Sequence, residues 1–162
     1  GDTSYSEEEI LYYLEKRKNC LEGLVITGGE PTLQADLKDF IKKVKALGYK
    51  IKLDTNGTNP QMVRELIDEQ LVDFIAMDIK APFEKYHLVC GPVDTEKVKE
   101  TMSLIIDSGI AYQLRTTYDK EILNDGDIET IKSMCPDISK FKLQECLPVN
   151  EIKPTLKLEH AI

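Results

Sequence analysis

The sequence predicts an α/β fold built on a parallel sheet. Short apolar runs alternate along the chain with longer stretches in which apolar residues recur at helical spacing. The first pattern is typical of buried strands and the second of amphipathic helices. Strands that alternate with helices favour a parallel sheet with right-handed crossovers. Both a doubly wound sheet and part of a (βα) barrel fit this order.

The predicted elements run in the order helix, then strand and helix four times, then strand. Ser6 and Glu9 form a capping box at the first helix, Asn59-Pro60 starts a later one, and Gly48 is suited to follow a helix C terminus. The helices are predicted from apolar stripes at Ile10, Leu11 and Leu14; Leu37, Phe40, Ile41, Val44 and Leu47; Val63, Leu66, Ile67 and Leu71; Val98, Met102 and Ile105; and a short segment at about 127–134. The predicted strands are 24–27, 51–53, 74–79, 112–118 and 141–143. After Pro148 we expect a tail with one more strand or helix at most.

Composition limits the classes of function. The chain has 162 residues, of which 41% are hydrophobic and 31% charged, as in ordinary globular domains. The net charge of −8 argues against nucleic-acid binding, which needs a basic surface. No apolar stretch is long enough to span a bilayer, and the polar, acidic first residues do not resemble a signal peptide. We therefore expect a cytoplasmic protein that does not act at a membrane.

The four cysteines do not form a local metal motif. Cys20, Cys90, Cys135 and Cys146 are far apart in sequence, and none belongs to a CxxC or CxxxC pair. Disulfides are uncommon in the cytosol. We interpret these residues as scattered structural thiols.

Polar or charged residues stand at the end of every predicted strand. Since the carboxyl ends of parallel strands meet at one edge of a sheet or barrel, these residues are expected to converge. A shared ligand site would explain all of them with one cause. The groups, in strand order, are Thr27 to Pro31, Asp54 to Gly57, Asp78 with Lys80, Arg115 to Thr117, and Gln144 with Glu145.

Four of these five groups also have a structural interpretation. Gly28-Gly29 and Asn56-Gly57 are residue pairs that form tight turns. Asp78 and Lys80 lie two positions apart in a strand, so they point to one face and can form a structural ion pair. Arg115 on a strand is compatible with an ordinary salt bridge.

The side chains at the strand ends have mixed charge. Glu30 is suited to a cation such as an amine, whereas Lys80 and Arg115 are suited to a carboxylate or a ribose hydroxyl. Asp54 and Asp78 can hold hydroxyls or a cation. Exposed backbone N–H groups at the two glycines can bind a carboxylate or a hydroxyl. An amino acid joined to a nucleoside would satisfy this set, and the lack of a GxGxxG or P-loop motif argues against a phosphate-rich cofactor.

Several motifs resemble those of the radical S-adenosylmethionine (SAM) enzymes. The segment from Leu24 to Gln34, with Gly28-Gly29-Glu30-Pro31, resembles the second strand and GGEP motif of that superfamily. The segments from Asp54 to Gly57 and from Met77 to Lys80 resemble the next two motifs of its glycyl-radical-enzyme activating subgroup. That subgroup includes pyruvate formate-lyase activating enzyme and the activase of anaerobic ribonucleotide reductase. The resemblance extends from about residue 6 to about residue 147.

The resemblance implies roles for individual residues. The methionine amino group of SAM would lie at Gly28, Gly29 and the region of Glu30. A monovalent cation beside the SAM carboxylate would be held by Asp54, Thr55 and Asp78. The remaining residues implied in cofactor binding are Asn56, Lys80, Arg115 and, beside the adenine, Gln144.

The resemblance also implies a fold, cofactors and partners. It implies a partial (βα) TIM-type barrel, with SAM and a [4Fe–4S] cluster as cofactors. The implied reaction makes a 5′-deoxyadenosyl radical that installs a glycyl radical on a partner of the pyruvate formate-lyase or anaerobic ribonucleotide reductase type. Flavodoxin or ferredoxin would donate the electron.

The largest departure from the family is the cluster motif. The chain has no CxxxCxxC, and its cysteine spacing does not replace it. We therefore expect residues 1–162 to be a single-domain radical SAM core fragment that lacks the first strand, the cluster ligands and any catalytic residue. Two alternatives stay open. One is a radical SAM enzyme acting on a small molecule, like 7-carboxy-7-deazaguanine synthase, and the other is a non-catalytic half-barrel binding module.

Overall fold

A computed structural model describes residues 5–146 and shows one five-stranded, entirely parallel sheet. The strands are β1 (Gly23–Ile26), β2 (Lys50–Thr55), β3 (Phe74–Asp78), β4 (Ala111–Tyr118) and β5 (Phe141–Glu145). The predicted α/β class and all five strands are confirmed. The tail predicted after Pro148 lies outside the described residues.

The order of the strands in the sheet distinguishes the two predicted architectures. Neighbours in space follow chain order from β1 to β5. A doubly wound sheet reverses its strand order at a switch point, whereas a (βα) barrel adds each strand beside the previous one. The sheet is therefore part of a (βα) barrel.

Six helices connect and precede these strands within the described residues. They are α1 (Glu7–Arg17), α2 (Leu37–Ala46), α3 (Pro60–Asp68), α4 (Tyr86–Cys90), α5 (Thr95–Asp107) and α6 (Asp125–Ser133). Short 3-10 turns occur at Pro31–Leu33, Phe83–Lys85 and Ile138–Lys140. In the part of the chain that the structure describes, no helix is both long and apolar enough to cross a membrane.

The helix boundaries follow local capping chemistry. The predicted box at α1 is present, because Ser6 Oγ accepts from Glu9 N and the Glu9 carboxylate accepts from Ser6 N. Asn59 caps α3 as predicted. A second box, between Asn124 and Asp127, starts α6 slightly earlier than the predicted position near residue 127.

Helix α4 was not predicted. Its first residue, Tyr86, is 2% exposed, and its ring stacks on Phe83 with centroids 5.6 Å apart. The Tyr86 hydroxyl accepts a hydrogen bond from Lys80 N at 3.0 Å. These contacts, with residues three and six positions earlier in the chain, anchor the segment after β3 as a turn of helix that no apolar stripe indicated.

The hydrophobic core lies on one face of the sheet. Along β2, Ile51, Leu53 and Thr55 are buried and alternate with more exposed residues. They belong to one apolar cluster with helical side chains such as Ile41 of α2. Because successive strand residues point to opposite faces, Asp54 points away from this core. The same alternation places Asp78 and Arg115 on that opposite face, since the residues on either side of each are buried.

Candidate functional site

A cleft lies at the carboxyl ends of β1 to β4, on the face opposite the helices. It is lined by Thr27, Gly28, Gly29, Asp54, Thr55, Asn56, Asp78, Lys80 and Arg115. Every lining residue belongs to the strand-end groups expected to converge, and all except Thr27 were also predicted to bind the cofactor. The convergence of four strand ends that the sequence led us to expect is therefore present.

The first wall of the cleft is a glycine turn after β1. Gly28 has φ +88° and Gly29 has φ +20°, a backbone range in which other residues are strained. A Cβ atom on either residue would meet nothing within 4 Å, so it is backbone conformation and not crowding that favours glycine. Both residues are exposed, which leaves their backbone accessible to a ligand.

The second wall is the loop from Asp54 to Gly57. Thr55 is 2% exposed, and its hydroxyl accepts a hydrogen bond from Gly57 N at 3.1 Å. Asn56 Oδ1 accepts from both the backbone N and the hydroxyl of Thr58, which is a local turn of the Asx type. The loop is thus rigid before any ligand arrives.

Glu30 stands behind these two walls and does not line the cleft. Its Oε2 accepts from Thr55 Oγ1 at 3.0 Å and from Asn56 N at 2.8 Å. Burial raises the pKa of the Glu30 carboxyl, and the hydrogen bonds from Asn56 and Thr55 offset this only in part. The side chain that looked suited to a ligand amine therefore already serves as an acceptor for protein donors.

The floor of the cleft carries alternating charges. The Arg115 guanidinium lies between two carboxylates, with Nε 3.3 Å from Asp78 Oδ1 and Nη2 3.5 Å from Asp54 Oδ2. Lys80 Nζ lies 3.5 Å from Asp78 Oδ2, so the ion pair predicted for Asp78 and Lys80 is present. Asp54 Oδ1 is buried, and no hydrogen-bond partner for it occurs among residues 5–146. The floor thus offers two cations, two anions and one unpaired acceptor.

Three residues outside the predicted set of cofactor-binding residues support this arrangement. Thr27 lines the cleft directly. Tyr86 holds the backbone N–H of Lys80, and the buried hydroxyl of Thr116 donates to Ile79 O at 2.8 Å. Thr27 and Thr116 belong to the strand-end groups expected from the sequence, whereas no pattern indicated Tyr86. The contact of Thr116 depends on the pairing of β3 with β4.

Gln144 is the one predicted residue besides Glu30 that does not line the cleft. It lies on β5, paired in register with Thr117 of β4. Its contact with an adenine stays a prediction.

Metal-binding groups are scarce in this region. Within residues 5–146, no three or more side chains of His, Cys, Asp and Glu gather as a metal site. Cys20, Cys90 and Cys146 are exposed and Cys135 is buried. The described part of the chain therefore supplies no ligand set for an iron–sulfur cluster. The monovalent cation at Asp54, Thr55 and Asp78 also stays a prediction. Arg115 already places a positive charge between the carboxylates of Asp54 and Asp78.

Comparison with known proteins places the chain in a family. The model of the radical SAM superfamily matches residues 1–132, and the chain therefore belongs to that superfamily. Two proteins of Methanocaldococcus jannaschii, both named as glycyl-radical enzyme activating enzymes, are 35% and 32% identical to it over 78% and 86% of this chain. The chain spans about half of their length, 55% and 54%. A shorter match, 36% identity over 46% of this chain and 29% of the relative, is to 7-carboxy-7-deazaguanine synthase of Methanopyrus kandleri.

Solved structures share the fold at low identity. A domain of pyruvate-formate lyase-activating enzyme from Bacteroides vulgatus superposes with a TM-score of 0.60 at 19% identity, covering 70% of this chain and 71% of that domain. The structure of anSMEcpe with bound AdoMet superposes with a TM-score of 0.70 at 19% identity, covering 97% of this chain and 48% of that one. These likenesses confirm the predicted partial TIM-type barrel.

Proposed function

We propose that the cleft binds SAM and that this chain forms the SAM-holding part of a glycyl-radical-enzyme activating enzyme. The observation that carries the proposal is the convergence of two carboxylates, two cations and a glycine turn at four strand ends, in a member of the radical SAM superfamily. The names of the two Methanocaldococcus relatives support the activating subgroup.

The groups in the cleft match the two ends of SAM. Its methionine part carries an ammonium and a carboxylate, and its ribose carries hydroxyls. Lys80 and Arg115 provide donors for a carboxylate, whereas the carboxylates of Asp54 and Asp78 can accept from an ammonium or hydroxyl. The unpaired Asp54 Oδ1 is a buried acceptor, and such an atom costs free energy until a donor reaches it. A ligand that brings donors as well as a carboxylate fits this set.

The role of these residues is to bind, orient and shield the ligand. Bound SAM, together with a [4Fe–4S] cluster, would supply the radical chemistry for hydrogen abstraction from a glycine of the partner enzyme. The described residues hold no cluster ligands, so we assign only positioning to this chain. We expect no SAM cleavage from residues 1–162 alone.

The proposed partners follow from the same subgroup. They are a glycyl-radical enzyme of the pyruvate formate-lyase or anaerobic ribonucleotide reductase type, and flavodoxin or ferredoxin as electron donor. A second candidate function is supported by the match to 7-carboxy-7-deazaguanine synthase, a radical SAM reaction on a small molecule. Electron paramagnetic resonance of a glycyl radical on the partner, compared with turnover of a pterin-type substrate by the longer protein, distinguishes the two.

Calorimetric titration with SAM tests the binding itself. We expect wild-type protein to bind SAM and Lys80→Met to bind at least tenfold more weakly, since a charged hydrogen bond contributes about 1.5–3 kcal/mol. Lys99→Met is the matched control, because Lys99 pairs with Glu96 on α5 and lies outside the cleft. Absence of binding to wild-type protein would overturn the proposal and leave the non-catalytic half-barrel as the better description. Equal affinities of the two variants would place SAM elsewhere.

A further inference from the structure

We infer that Glu30 is a positioning residue, whose carboxylate clamps the glycine turn after β1 to the loop after β2 and does not itself contact the ligand ammonium. The inference rests on the proposed function, since it concerns the cleft in which SAM is proposed to bind. It assigns the acidic residue of the Gly28-Gly29-Glu30-Pro31 segment a role different from the one its charge suggests.

The hydrogen bonds of Glu30 Oε2 join two loops that are distant in sequence. Both donors to Oε2, the Thr55 hydroxyl and Asn56 N, belong to the loop after β2. The Thr55 hydroxyl in turn accepts from Gly57 N. One carboxylate oxygen therefore determines where the backbone of the second wall lies relative to the first.

Further hydrogen bonds extend the clamp on both sides. Asn59 Nδ2 donates to Thr32 O at 2.7 Å, which ties the start of α3 to the 3-10 turn after Glu30. Thr101 Oγ1 donates to Gly57 O at 2.7 Å from helix α5. The loop after β2 is thus held from the glycine turn on one side and from α5 on the other.

The position of Glu30 excludes its side chain from the cleft. Gly28, Gly29, Thr55 and Asn56 line the cleft, whereas Glu30, which contacts the last two, does not. Its second oxygen, Oε1, is buried, as is Thr32 Oγ1, and neither has a hydrogen-bond partner of good geometry among residues 5–146. The carboxylate faces protein atoms on both sides.

This geometry predicts how substitutions differ. Glutamine keeps the length and places an amide oxygen where Oε2 accepts two bonds, while its NH₂ group lies near the acceptor Thr32 Oγ1. Aspartate is shorter by one methylene and cannot reach both donors. Alanine leaves the Thr55 hydroxyl and Asn56 N without an acceptor. A clamp therefore tolerates glutamine and not aspartate, whereas a direct ionic contact to an ammonium tolerates aspartate better than glutamine.

The test compares Glu30→Gln, Glu30→Asp and Glu30→Ala by SAM titration and by amide hydrogen exchange. We expect Glu30→Gln to bind SAM within about twofold of wild type, and the other two at least tenfold more weakly. Without any ligand, the Asn56 amide should stay protected in Glu30→Gln and exchange at least tenfold faster in Glu30→Ala. Weakening by Glu30→Gln equal to that by Glu30→Ala, or wild-type exchange in Glu30→Ala, would overturn the inference.

Two controls separate this result from other effects. Ile131→Val truncates a buried core residue of α6 that takes no part in the clamp, and it should lower stability without changing SAM affinity. If Glu30→Ala does not fold, the contrast between glutamine and aspartate still decides. If wild-type protein does not bind SAM, the proposed function fails, while the exchange of the Asn56 amide still supports or refutes the clamp.

Discussion

Substitution of Gly57 by alanine tests how closely the second wall of the cleft, the loop from Asp54 to Gly57, packs against the hydrophobic core. Gly57 has φ +80°, and a Cβ atom added there would clash with Met77 Cε and lie 3.6 Å from Thr101 Cβ. Met77 is completely buried in β3. The substitution therefore introduces both backbone strain and a clash inside the core.

Backbone strain and the clash both lower the free energy of unfolding, and their contributions add. A left-handed backbone costs a non-glycine residue about 1–2 kcal/mol. Moving a side chain in a packed core to make room for a methyl group adds about 1–3 kcal/mol. We expect Gly57→Ala to lower the free energy of unfolding by about 2–5 kcal/mol in urea titrations, and to weaken SAM binding because the loop carries Asp54, Thr55 and Asn56.

Gly48→Ala is the matched control for the backbone term. Gly48 follows α2 with φ +94°, but an added Cβ would meet nothing within 4 Å, so only about 1–2 kcal/mol should be lost. A Met77→Leu background removes the terminal methyl group at little cost. Gly57→Ala should be milder there, with a coupling of about 1–3 kcal/mol in the double-mutant cycle. Equal losses for Gly57→Ala and Gly48→Ala, with no coupling to Met77, would refute the reasoning.

Three further predictions concern charge and capping. Arg115→Met removes the cation between Asp54 and Asp78, so the free energy of unfolding in urea should fall by about 1–2 kcal/mol. This is less than the ~3–5 kcal/mol of fully buried ion pairs, because the N–O distances of Arg115 are 3.3 and 3.5 Å. Unchanged stability would contradict this prediction. Burial raises the pKa of Glu30 above 4.5, so the folded state binds the proton of this carboxyl more tightly than the unfolded state does. The stability of wild-type protein relative to Glu30→Gln should therefore fall as pH rises from 4.5 through the folded pKa. A difference in thermal unfolding that does not depend on pH would contradict this prediction. Asn124→Ala removes the cap of α6 and should cost about 1 kcal/mol in urea unfolding, whereas a loss within error would show that the cap is dispensable.

Much of the fold was predictable because its signals are local. Capping residues such as Ser6 and Asn59 form hydrogen bonds with backbone groups within one helical turn, so the helix starts can be predicted from the local sequence. Periodicity gave the strands to within a few residues. The segment after β3 was different, because α4 begins at Tyr86, whose burial and hydrogen bond with Lys80 N are not marked by an apolar stripe.

The sequence predicted which strand ends come together at the cleft, but not how their side chains are oriented. Parallel strands bring their carboxyl ends to one edge, so Asp54, Asp78 and Arg115 were expected to meet, and they do. Side-chain direction was not predictable in the same way. Glu30 was predicted from its charge to face a ligand amine, and no local pattern indicated that its carboxylate accepts hydrogen bonds from Thr55 and Asn56.

Periodicity, capping and short motifs in the chain established the class of fold, the strand ends that form the cleft and the superfamily that the motifs resemble. Each of these signals acts over a few residues. The choice between a barrel and a doubly wound sheet required the structure, because strand order is a relation between segments. The structure alone also separated the residues that line the cleft from Glu30 behind it, because hydrogen bonds across 25 and 26 residues of sequence leave no local pattern.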